Sequence, residues 1–97
     1  MNALLLMLIL ADGASFPGTW KGRISDSKCG AMIDKACITR CIEEDHQQAV
    51  LVEDGTGEIR PITNTDSVKK YAGEHVEIKG SIKEGQISAA DVKRLDK

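Results

Sequence analysis

A chain of 97 residues holds one domain at most, with a net charge of −2 and a single Trp, Tyr and Phe. That composition offers neither the cationic footprint nor the stacking platforms of a nucleic-acid binder. It also lacks the basic clusters that hold a protein on an anionic membrane.

The chain opens on an unbroken apolar run, Ala3 to Leu10, followed by the small residues Ala11, Gly13, Ala14 and Ser15. The run is too short to span a bilayer and has the layout of a secretory signal peptide. Its n-region carries no Lys or Arg. Residues 1–13 are therefore read as a signal-peptide-like segment, with a mature start between Ala14 and Phe16. Removing Asp12 with it takes the acidic count from 15 to 14 and the net charge from −2 to −1. The expected destination is the periplasm or the exterior. A small exported domain buries a modest fraction of its surface and often needs a staple.

Residues 14–97 form the expected domain. Phe16-Pro17-Gly18 reads as a lead-in with turn chemistry. Trp20 to Ser25 alternates, with Trp20, Gly22 and Ile24 on one face, which predicts a half-buried strand. Gly22 marks a bend or a close backbone approach inside it.

Residues 26–48 read as an insertion holding Cys29, Cys37 and Cys41, all the cysteines of the chain, with His46. Asp34 is a good helix N-cap, and Ile33 and Ile38 stand where a hydrophobic staple would. Cys37, Ile38, Cys41 and Ile42 make an apolar stripe at helical spacing. Glu43, Glu44 and Asp45 oppose the dipole at a helix C-terminus, so the helix should end near Ile42 to Asp45. Asp26 beside Ser27 suggests an Asx-type turn.

Ala49 to Glu53 is a buried strand, Asp54 to Gly57 a hairpin turn, and Glu58 to Thr63 the return, with Pro61 on an edge or bulge. Asn64-Thr65-Asp66 offers caps for one short helix with Val68, Tyr71 and Ala72 inward and Gly73 as its stop. Glu74 to Lys83 alternates through Val76, Ile78, Gly80 and Ile82. Glu84-Gly85 is a tight turn, and Gln86 to Ala89 continues the alternation. The period slips at Ala90-Asp91 before Val92 and Leu95, which predicts a bulge or short turn. His75, at a strand start, reads as solvated.

Five strands with a helix between the third and fourth is the order of the OB-fold. The expected class is mainly β: a small five-stranded OB-like barrel with a cysteine-containing helical insertion between strands 1 and 2. Val76, Ile78 and Ile82 should pack inside with Trp20, Ile24, Val68 and Tyr71.

The motifs G-R-I-S-D-S-K-C-G at 22–30, C-I-T-R-C at 37–41, A-V-L-V-E-D-G at 49–55 and Y-A-G-E-H-V-E-I-K-G at 71–80 resemble a group of short exported bacterial domains of uncharacterised function. The resemblance covers nearly the whole mature chain. Members of that group often carry a His shortly after D-S-x-C-G, where this chain has Met32-Ile33. The latter half also resembles periplasmic OB-fold domains of stress-related proteins, a likeness of fold that licenses no function.

The cysteines admit several chemistries. Cys37 and Cys41, four residues apart on a helix, have Cβ atoms roughly 6 Å apart, too far for a disulfide. Cys29 reaches either, and Cys29–Cys41 is the favoured bridge because the longer loop has more freedom. Cys37 would then remain as a thiol at a helix N-terminus, or pair two chains into a dimer. Alternatively Cys29, Cys37 and Cys41 bind copper or zinc with His46, or Asp26, as fourth ligand. A thiol oxidoreductase is the third reading, though the spacing is C-x3-C without a thioredoxin-like surround. There is no nucleophile–base pair and no phosphate loop. The first expectation is thus a non-enzymatic exported binding or structural module stapled by a disulfide.

Overall fold

The structure is a computed structural model that describes residues 14–95. The signal-peptide reading of residues 1–13 lies outside the described residues. Five strands form one antiparallel sheet: β1 (Phe16–Asp26), β2 (Ala49–Glu53), β3 (Ile59–Pro61), β4 (His75–Lys83) and β5 (Gln86–Arg94). Their order is β3-β2-β1-β4-β5. The sheet does not close into a barrel. Its two outer strands approach at an isolated parallel bridge, Ile62 to Ile87, where the Thr63 N–H donates to the Ile87 carbonyl at 2.8 Å.

β1 is longer than its alternating segment. Pro17 and Gly18 are not a turn but sit in the ladder opposite Ser81 and Gly80. The reason lies in the neighbours: β2 pairs only with Gly22 to Asp26, so the first half of β1 has an open edge where a missing donor costs nothing. Gly22 does mark a close approach. A Cβ there would stand 2.2 Å from the Val52 carbonyl oxygen.

Helix α1 (Lys35–Glu43) begins where its cap predicts. Asp34 Oδ1 accepts the backbone N–H groups of Ala36 and Cys37, at 3.1 and 3.3 Å. Ile38, Cys41 and Ile42 are its buried face. Ile33 stays partly exposed instead of closing a full staple.

Between β3 and β4 the expected short helix is replaced by two 3-10 turns, Thr65–Ser67 and Lys69–Tyr71. Asn64 does not cap them. Its amide brackets Ala89 of β5, Nδ2 donating to the carbonyl at 2.7 Å and Oδ1 accepting the N–H at 2.9 Å. That spends the capping group on the sheet edge, and the segment shortens to tight turns. Val68 and Ala72 still point inward.

β4 and β5 join through Glu84 and Gly85, both at positive φ, as a two-residue hairpin turn requires. The slip falls at Ala90: Lys79 faces Asp91 while Gly80 faces Ala89, leaving Ala90 as the extra residue. β5 then runs on to Arg94.

The core gathers Ile24, Leu51, Ile62, Val68, Val76, Ile78 and Ile87 from the sheet and the 3-10 segment, with Ile38 and Ile42 from α1. Trp20, Tyr71 and Ile82 pack against it while partly exposed. The insertion therefore folds over one end of the sheet. There β1 ends its alternation, and Ser25 and Asp26 are both fully buried.

Candidate metal centre

The site starts from the last rung of β1. Asp26 Oδ1 accepts the N–H groups of Lys28 and Cys29, at 2.8 and 2.9 Å. This is the Asx-type turn expected of Asp26. The Gly30 N–H donates to the Asp26 carbonyl at 2.8 Å, and Ser25 Oγ donates to the Gly30 carbonyl at 2.6 Å. Gly30 takes φ +55°, which suits glycine. Four residues thus fold tightly enough to turn Cys29 back over the sheet. From the other side, α1 presents Cys37 and Cys41 one turn apart on one face.

The three sulfurs converge. All lie within 4.8 Å of one another, and Cys29 and Cys37 are 2.9 Å apart. All three are free thiols; Cys41 is buried, Cys29 and Cys37 half-buried. The expected Cys29–Cys41 bridge is not formed, and the contact that Cys29 makes is with Cys37. The sulfurs line a cavity of about 290 Å³ whose exposed members are Lys28, Met32, Arg40 and Asp45.

The Cys29 thiol is held well above the ordinary thiol range, first by its hydrogen bond with Cys37, then by burial and by the Asp26 carboxylate. Cys41 is raised as well, mainly by burial and then by the charge of Asp26, against a lowering hydrogen bond from Cys29. Cys37 is close to a helix N-terminus, but its backbone N–H is taken by the Asp34 carboxylate. Both shifts favour the protonated thiol at Cys29 and Cys41. A reactive thiol needs surroundings that favour the thiolate, and burial and the Asp26 carboxylate act against that at Cys29 and Cys41.

His46 is placed elsewhere. α1 ends, the chain turns at His46 with φ +54°, and the ring lines a separate open cleft of about 610 Å³ with Glu43, Asp66 and Lys69. Asp26, whose Oδ1 caps the turn that carries Cys29, keeps its Oδ2 buried with no hydrogen-bond partner among the described residues.

His75 is half-buried. Its Nε2 pairs with Asp54 Oδ2 at 2.6 Å, and its Nδ1 is buried without a partner among the described residues. Nothing in the sequence marked this pair, because 21 residues separate its members and only the β1–β2 and β1–β4 ladders bring them together. The pair ties the hairpin turn after β2 to the start of β4.

No protein-family model, no curated protein and no solved structure matches this chain. Among the described residues, no helix is long and apolar enough to cross a membrane.

Proposed function

We propose that this chain is a small exported binding domain of OB-like topology whose Cys29, Cys37 and Cys41 hold a thiophilic metal ion, copper or zinc. The observation that carries the reading is the meeting of three sulfurs, from a turn and a helix, within 4.8 Å of one another. In a tetrahedral thiolate site with bonds of about 2.3 Å the sulfurs stand roughly 3.8 Å apart, so small side-chain movements suffice. OB-like topology is supported by the pairing of β1 with both β2 and β4, and by the parallel approach of Ile62 to Ile87. Export rests on the Ala3 to Leu10 run and on the resemblance carried by the quoted motifs.

A second reading is the stapled module, favoured by the 2.9 Å contact between Cys29 and Cys37. Under it those two bond, and Cys41 is the buried thiol left over. Protein purified from an oxidising compartment separates the two. The metal reading expects one equivalent of copper or zinc, and three thiols that react after chelation without reductant. A single reactive thiol that becomes three on reduction, with no metal, overturns it and establishes the staple.

A further inference from the structure

The turn that positions Cys29 needs one acceptor, and Asp26 Oδ1 provides it for both N–H groups. An asparagine would make the same two bonds without a charge. The second oxygen, Oδ2, is therefore surplus to the turn. It is also costly: Asp26 is fully buried, and Oδ2 has no hydrogen-bond partner among the described residues. A buried carboxylate oxygen without a partner, on the turn that carries one of three convergent sulfurs, is what a cation would satisfy.

Donor number and charge then separate the candidate ions. Three thiolates alone suit Cu(I), which is soft and content with a sulfur set. Zn(II) takes four ligands and accepts a carboxylate oxygen among them. A monovalent ion leaves one more negative charge uncompensated in this sheltered pocket than a divalent ion does, and burial penalises each such charge. His46 lines another cleft and is not placed to supply the fourth donor.

We propose that Asp26 is the fourth ligand, and that the site is built for a divalent ion of zinc type in an S3O set rather than for Cu(I). Asp26 is not among the three side chains whose ligand atoms lie within 4.8 Å of one another, but its Oδ1 is anchored on the turn that carries Cys29. Oδ2 is the oxygen free to close on the ion. This inference deepens the metal reading and rests on it.

The test is a competition titration of reduced full chain with Zn(II) and with Cu(I), on wild type and Asp26→Asn, beside urea unfolding of both apo proteins. Asp26→Asn keeps the turn, so its apo midpoint should equal or exceed that of wild type. Its Zn(II) affinity should fall at least about tenfold, the lower end of what supporting groups contribute, while Cu(I) affinity stays within about twofold. Equal Zn(II) affinity in the two proteins overturns the role of Asp26 and leaves the three-cysteine site standing. Wild type that binds neither ion overturns both. If Asp26→Asn does not fold, the zinc-minus-apo infrared difference spectrum of wild type decides. A shifted carboxylate stretch supports the assignment, and an unshifted one overturns it.

Discussion

Ile78 lies at the middle of β4, opposite Trp20 of β1 and Val92 of β5, and is fully buried. Ile78→Ala removes three buried carbons, about 2.4 kcal/mol at about 0.8 kcal/mol per methylene. The cavity adds to this. Ile24, Val76 and Ile87 around it belong to a paired sheet that cannot collapse inward freely, so a total of about 3–4 kcal/mol is expected, inside the range for such truncations. In urea, with a slope of about 1 kcal/mol/M for a small domain, the midpoint should drop by about 3 M at unchanged slope. Ile59→Ala is the control: Ile59 is 48% exposed, and its truncation should cost about 0.5 kcal/mol or less. If Ile78→Ala leaves no folded baseline, Ile78→Val should still lower stability by about 0.5–1.5 kcal/mol. An Ile78→Ala midpoint no lower than that of Ile59→Ala would mean that β4 is assigned to the wrong face.

Gly22→Ala should cost about 3 kcal/mol in the same assay, the top of the overpacking range, because the new methyl meets the Val52 carbonyl rather than a side chain that can move. A loss under about 1 kcal/mol would show that β1 and β2 are not so closely apposed. The apo, reduced domain should also weaken in alkali. Cys29 and Cys41 have raised pKa values in the fold, so their contribution is complete below the unfolded thiol value of about 8.5 and is lost as pH rises from there toward the folded value. Urea midpoints at pH 7.5 and 9.5 should fall in wild type and fall less in the Cys29→Ser, Cys41→Ala double variant; parallel falls would refute the assignment.

Much of the sheet was legible because its signals are local. Alternation in Val76, Ile78 and Ile82, the Asp34 cap, the Glu84-Gly85 turn and the slip at Ala90 each depend on a few adjacent residues. What escaped depends on partners far along the chain. Pro17 belongs in a strand only because β2 is too short to reach it. Asn64 looks like a cap until Ala89, 25 residues on, claims its amide. The cysteines announced a cluster, but the place of His46 relative to them was not readable from spacing. His46 is near in sequence and lines a separate cleft, whereas the carboxylate of Asp26 builds the turn that carries Cys29.

Residues 27–48 leave and re-enter the sheet on neighbouring rungs: Asp26 faces Ala49, and the Ser27 N–H donates to the Gln48 carbonyl at 2.9 Å. To the backbone the whole sulfur-bearing segment is an enlarged hairpin loop, and any pair of facing antiparallel strands offers it a seat. Its side chains are less portable. Ile38 and Ile42 reach into the core beneath, so a transplanted copy keeps its three sulfurs together only in a host sheet with two apolar hollows waiting under the loop. The segment is detachable by its ends and rooted by its isoleucines, and a host chosen for those hollows would carry the thiol cluster into a protein that had none.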